Sequence, residues 1–230
     1  MIKENLDLLR RKIFAAARRT GRDPNTVRIV AAAKSQSRDS AEEAIREGVT
    51  LIGHNYVQEA VREKPSIGCG PFEYHMIGHL QKNKAKKAVE IFDVIQTLDD
   101  WATAEALDRA AHEVGKFLGV MIQVNLSGEP QKSGIPRNEA NALIQKTESL
   151  NNIRLLGLMT MPPFFDDPDA ARPFFRELRQ MRDELIASGV MERSATELSM
   201  GMTGDFECAV EEGATLVRIG TALFGVRIYA

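Results

Sequence analysis

The stretch RIVAAAKSQSRDSAEEAIREGVTLIGHN, residues 28–55, runs from a β-rich segment through a helical one to a second β-rich segment. RIVAAAK (28–34) and TLIGHN (50–55) are the strand runs, and SAEEAIREG between them ends in glycine, a common helix stop. Outward from this unit the alternation continues through FEYHMIG (72–78), DVIQTL (93–98), GVMIQVNL (119–126), RLLGLMTM (154–161), ELSMG (197–201) and LVRIG (216–220). Stretches such as ATAEALDRAAHEVG, NEANALIQKTESL and ARPFFRELRQMRDELIASG separate several of these runs and carry helical periodicity or helix-favouring composition. Strand–helix alternation of this kind predicts a parallel sheet with right-handed crossovers. Eight such strands in about 200 residues favour a closed (β/α)8 TIM barrel. The competing open, doubly wound sheet is weakened because no GxGxxG follows the first strand.

Ahead of the first strand, Ile2, Leu6, Leu9 and Ile13 fall at helical spacing and predict an extra amino-terminal amphipathic helix ending at Gly21. No linker divides the chain, so residues 1–230 are expected to form a single domain. The loops 128–137 and 161–170 follow strands and belong on the carboxyl-end face, where barrels build their sites.

Composition narrows the class. With 43% hydrophobic and 27% charged residues the chain can bury a sizeable core, and a net charge of −2 gives no pull toward nucleic acid or anionic membrane. Cys69 and Cys208 lie far apart in no metal spacing, which suits a reducing compartment. The start MIKENLDLLRRKI mixes charge with apolar residues, unlike a signal peptide, and no apolar run reaches membrane-spanning length. The expectation is a cytoplasmic protein.

Lys34 closes the first strand run, and alternation places Val30, Ala32 and Lys34 on one face. If that face is the interior, the amine stands over small apolar side chains, and lost hydration favours the neutral form that attacks an aldehyde. A solvated strand-end lysine is the plainer reading. Ser199, Gly201, Gly220 and Thr221 fall at or just after the ends of the last two strands, where barrels commonly bind phosphate. Ser199 or Thr203 would equally suit a cap for a helix beginning near Asp205. Arg218, between Val217 and Ile219, should point inward and require a partner, either an acidic side chain inside the barrel or a ligand acceptor. Because strand eight neighbours strand one in a closed barrel, Lys34, Arg218 and the Gly220–Thr221 turn would surround one pocket.

The histidines say less. His75 and His79 straddle the end of strand three and lack zinc-protease spacing. His54 and His79, at the ends of strands two and three, could meet at the barrel mouth, but they lack the carboxylate or cysteine cluster of a metal site, and no metal is expected. The basic run Lys82–Lys87 reads as the wet face of a helix, since no aromatic residues interleave with it.

Taken in order, AAAKSQSRDSAEEAIREG (31–48), NYVQEAVREK (55–64), HMIGHLQKNKAKK (75–87), VNLSGEPQKSGI (124–135), LLGLMTM (155–161) and LSMGMTGDFECAVEEGATLVRIGTALFG (198–225) resemble the YggS/PROSC-type pyridoxal phosphate homeostasis proteins over nearly the whole chain. The resemblance implies a fold like the amino-terminal domain of alanine racemase, with pyridoxal 5′-phosphate (PLP) as cofactor, bound as a Schiff base on Lys34. It assigns Ser199, Gly201, Gly220 and Thr221 to the phosphate, Arg218 to the pyridine nitrogen and Asn55 to the cofactor's surroundings. Two positions depart from the family pattern: His54 stands where the family has glutamate, and Gln96 where it often has histidine.

The resemblance also implies a PLP carrier or regulator of cofactor supply without catalytic residues, affecting amino-acid and keto-acid balance. It is expected to be a monomer that serves PLP-dependent apoenzymes. With Tyr229–Ala230 following directly on the last strand, the carboxyl-terminal β-domain of the related racemases and decarboxylases is not expected. A cation beside the pyridine nitrogen disfavours its protonation and weakens the ring as an electron sink. The alternatives are a PLP-dependent amino-acid racemase using His54, His79 or Tyr56 as proton donor, and a cofactor-free barrel binding a phosphorylated metabolite.

Overall fold

The computed structural model describes residues 1–66, 68, 70–129 and 131–225; Cys69 and Tyr229–Ala230 lie outside them. Strands β1 (Arg28–Ala32), β2 (Leu51–His54), β3 (Glu73–Met76), β4 (Val94–Leu98) and β5 (Leu118–Asn125) are followed by a two-residue β6 (Ile135–Pro136). Then come β7 (Ile153–Met159), β8 (Glu197–Met202) and β9 (Leu216–Ile219). All pairings are parallel, β4 pairs β5 and β1 pairs β9, so eight strands close and an open sheet is ruled out. The eight are those read from sequence. β6 pairs only with the end of β5 and stands outside the barrel.

Helices α1 (Ile2–Arg19), α2 (Arg38–Arg46), α3 (Val57–Glu63), α4 (Ala85–Ile91), α5 (Trp101–Val114), α6 (Arg137–Glu148), α7 (Arg172–Ala187), α8 (Phe206–Glu211) and α9 (Thr221–Phe224) cover the strands. α1 buries the expected Ile2, Leu6, Leu9 and Ile13. It stops at Arg19, and Gly21, at φ 70°, turns the chain so that the Gly21 amide donates to the Arg18 carbonyl and the Arg22 amide to the Ala17 carbonyl. The Asn5 side chain donates to the Leu223 carbonyl at 2.9 Å and so ties α1 to α9, directly behind the last strand.

Two apolar layers follow from strand parity. Outward residues such as Ala31, Ala33, Ile52, Val217 and Ile219 join the helices in one large core. Inside, Val30, Leu51, Ile77, Val94, Met121, Met159 and Leu216 form a smaller second core. That interior is not wholly apolar. His75, Gln96, Ser199 and Arg218 are buried in it as well. Among the described residues no helix is long and apolar enough to cross a membrane.

Candidate functional site

β1 ends at Ala32, and a tight turn follows in which the Gln36 amide donates to the Ala33 carbonyl at 3.0 Å. Lys34 and Ser35 are its central residues, and Ser35 has φ 59°, the only positive φ at a non-glycine among the described residues. Such a conformation is uncommon for a residue with a side chain, and it bends the main chain away so that Lys34 reaches over the barrel mouth. The Lys34 side chain lines a cavity of about 350 Å3 together with Ala32, Asn55, Arg218, Gly220 and Thr221. Its ammonium lies 5.7 Å from the centre of the Tyr56 ring. The inward face predicted for Val30, Ala32 and Lys34 is thus the face observed.

Arg218 forms part of the floor. It is inward, as parity requires, but its hydrogen bonds go to the Ser199 hydroxyl at 2.6 Å and the Thr160 carbonyl at 2.9 Å. The acidic partner considered from sequence is therefore replaced by neutral oxygens. Asp205 assists only through its field. Burial lowers the Arg218 pKa to about 10, and the Asp205 charge opposes that shift. A guanidinium has five N–H donors, so two acceptors leave donors for whatever enters the cavity above.

The remaining walls come from the β8–α8 and β9–α9 turns. The Met202 amide donates to the Asp205 carboxylate at 2.6 Å and the Asp205 amide to the Met202 carbonyl at 3.1 Å. This closed turn presents Thr203 and Gly204 to the cavity, opposite Gly220 and Thr221. Burial holds the Asp205 pKa above the usual carboxylate range. α8 begins after Asp205, and neither Ser199 nor Thr203 caps it. In α9 the Leu223 and Phe224 amides both donate to the Gly220 carbonyl, at 2.9 and 3.0 Å, which leaves the Thr221 and Ala222 amides without an intrahelical acceptor.

Five of the seven residues singled out from sequence, Lys34, Asn55, Arg218, Gly220 and Thr221, meet in this cavity. Ser199 lies one layer beneath, wholly buried and engaged by Arg218 and Gln96. Gly201, at φ 90°, turns toward α8: a Cβ there would stand 2.5 Å from the Ala209 Cβ. Asn55 is placed by another glycine, since a Cβ on Gly78 would stand 2.3 Å from the Asn55 carbonyl oxygen. Thr203, Gly204 and Asp205 were not assigned to the site from sequence. Their signal was a glycine-rich turn between a strand and a helix, read there only as capping. The loop 161–170 does reach the mouth, where Met161, Pro163, Phe164 and Phe165 form an apolar rim.

His54 and His79, which strand ends alone could bring together, do not meet. His54 points outward into the helix layer, with its ring 5.3 Å from that of Tyr74. β2 parity decides this, because Leu51 and Gly53 take the interior face. His79 is exposed and lies 3.9 Å from Asp99. Among the described residues no three His, Cys, Asp or Glu side chains cluster for a metal. In the basic run, Lys86 and Lys87 pair with Glu113 and Glu90 on the surface.

With this geometry in place, comparisons become informative. The family model described as alanine racemase, N-terminal domain, matches residues 5–228. A pyridoxal phosphate homeostasis protein of Aquifex aeolicus is 38% identical over 226 residues, covering 98% of both chains. That of Escherichia coli K12 is 37% identical, over 100% of this chain and 98% of its own. Among solved structures, PipY of Synechococcus elongatus PCC7942 with PLP bound superposes with a TM-score of 0.84 at 34% identity, covering 98% of this chain and 100% of PipY. Alanine racemase of Clostridium difficile 630 shares the fold alone, with 14% identity, a TM-score of 0.69 and coverage of 95% of this chain and 56% of the racemase.

Proposed function

The chain belongs to the pyridoxal phosphate homeostasis protein family, built on the alanine racemase N-terminal domain, and from that premise we propose that it binds PLP through Lys34 and acts as a carrier or regulator of cofactor supply. The observation that carries the reading is the convergence of Lys34 and Arg218 on one cavity, with Arg218 donating to neutral oxygens and keeping N–H groups for a ligand acceptor. A cavity of about 350 Å3 falls in the range used for small cofactors. Glycine-rich turns at residues 203–204 and 220–221 offer backbone amides and threonine hydroxyls suited to a phosphate.

Bound there, PLP supplies an electrophilic aldehyde, which Lys34 holds reversibly as a Schiff base. Arg218 would face the pyridine nitrogen, and as a cation it would disfavour protonation of that atom. Thr203, Gly204, Gly220 and Thr221 take the phosphate. Asn55 orients the cofactor from the β2 side. Ser199 supports the site through its hydrogen bond with Arg218.

A carrier needs no proton donor poised at the reacting carbon, and His54, buried in the helix layer, is removed from that role. Tyr56 keeps the amino-acid racemase as a second reading, because its ring sits beside the Lys34 amine. The carrier reading extends to residues 1–230 as one domain, acting as a cytoplasmic monomer that serves PLP-dependent apoenzymes.

The test is direct. Protein incubated with PLP should develop a visible absorption band, and borohydride reduction should fix one pyridoxyl group on Lys34 by mass mapping. Lys34→Ala should abolish both. A band that persists in that variant would refute the assignment. Racemisation of an amino acid that is lost in Tyr56→Phe would move the reading to an enzyme.

A further inference from the structure

Beneath Arg218 a string of polar side chains crosses the barrel from the site to the opposite mouth. Arg218 donates to the Ser199 hydroxyl at 2.6 Å, and Ser199 donates to Gln96 Oε1 at 2.6 Å. Gln96 Nε2 donates to His75 Nδ1 at 2.7 Å, and His75 Nε2 donates to the Glu73 carboxylate at 3.2 Å. The orientation of the Gln96 amide sets the order of donors. An amide nitrogen only donates, so His75 Nδ1 accepts and its proton sits on Nε2, which a carboxylate can only accept. Every hydrogen bond in the string therefore points the same way, from Arg218 toward Glu73. His75, Gln96, Ser199 and Arg218 are buried, whereas the Glu73 side chain is 53% exposed at the amino-terminal end of β3.

Burying four polar side chains where Val, Leu or Met would pack carries a desolvation cost, recovered only if each partner is in place. In the string each donor meets an acceptor, from Arg218 through Ser199, Gln96 and His75 to Glu73. Glu73 thus fixes the His75 tautomer, His75 fixes the Gln96 amide, and Gln96 turns the Ser199 lone pair toward Arg218. The charged groups around the far end are Arg28 from β1, which acts on Glu73, and Glu197 from β8, which pairs with Arg28 at 2.5 Å. Asp205 faces the near end.

Building on the cofactor reading above, we propose that Gln96 and His75 are positioning residues that couple Glu73, at the far mouth, to Arg218 beneath the bound cofactor. Ligands or ions that engage Glu73 on that face then alter how the cofactor is held, without entering its pocket.

The experiment uses PLP-loaded protein and follows the visible band as a function of pH. Glu73→Gln removes the terminal charge at an exposed position far from the cavity and should lower the band's titration midpoint by about half a unit. Breaking the string with Ser199→Ala, or with Gln96→Met if the first does not fold, should abolish that response to Glu73→Gln. A through-space field would survive the break; a relay would not. An unchanged midpoint in Glu73→Gln, or an equal shift in the broken background, overturns the relay and leaves the cofactor reading intact. Absence of a Lys34-dependent band in the unaltered protein would instead remove the cofactor reading, and the relay with it.

Discussion

His75 and His54 stand on adjacent strands and are almost equally buried, at 2% and 0% exposure, yet they live in opposite chemical surroundings. The barrel interior around His75 supplies a partner for each ring nitrogen, Gln96 and Glu73. The layer between strands and helices around His54 supplies none among the described residues. It offers Tyr74, whose ring lies alongside and whose hydroxyl donates to the Ala60 carbonyl at 3.3 Å. The lesson is that burial alone does not mark a functional histidine. Strand parity sends His75 into the barrel and His54 against the helices, and only the first environment was assembled from polar side chains.

Substitutions in each of the two regions test this contrast. The largest effect is expected inside. Arg218→Leu removes a charged donor from the cavity floor and leaves the Thr160 carbonyl and the acceptor side of the Ser199 hydroxyl without that donor. Charge-assisted hydrogen bonds contribute about 1.5–3 kcal/mol, so PLP affinity should fall roughly ten- to a hundredfold by spectroscopic titration. Affinity equal to that of the unaltered protein would show that the interior string does not serve the site.

The helix layer should respond through stability and pH. Burial depresses the His54 pKa from 6.5 to about 4, with Glu63 opposing the shift. Above pH 6.5 His54 is neutral in both the folded and the unfolded chain. As the pH falls toward 4 the unfolded chain takes up the proton first, and stability drops by about 3 kcal/mol across that window. Below it the folded form is protonated too and the loss levels off. His54→Leu should remove this slope and gain about 1–2 kcal/mol at neutral pH, since two unpaired buried nitrogens are deleted. Urea unfolding between pH 4 and 8 reads both. A parallel slope in the variant would mean that His54 has a partner after all. The PLP band should be unaffected, which separates the two regions.

The smallest effect belongs to Phe164 on the cavity rim, 86% exposed. Phe164→Ser should change unfolding stability by no more than about 0.5 kcal/mol. A larger loss would show that the rim packs more tightly in solution than its exposure indicates.

The placement of Lys34 was legible because two local facts sufficed: its position at the end of a β-rich run, and alternation with Val30 and Ala32. Arg218 was legible for the same reason, flanked by outward Val217 and Ile219. Its partners were not, because Ser199 and Thr160 lie 19 and 58 residues away in sequence and meet it only when β7, β8 and β9 pair. The Met202–Asp205 turn was under-read since strand–glycine–helix turns serve caps and anion sites with the same residue types. His54 was misplaced because being at a strand end says nothing of which face it occupies.

Periodicity and order along the chain determined the eight strands, the helices between them, the amphipathic first helix and the inward face of the lysine-bearing strand. These depend on alternation within a few residues, which the chain carries locally. Closure of the barrel, the string from Arg218 to Glu73 and the loss of His54 from the mouth were decided only in three dimensions. Each depends on which strands become neighbours and in what register, and that is set by packing among residues remote in sequence.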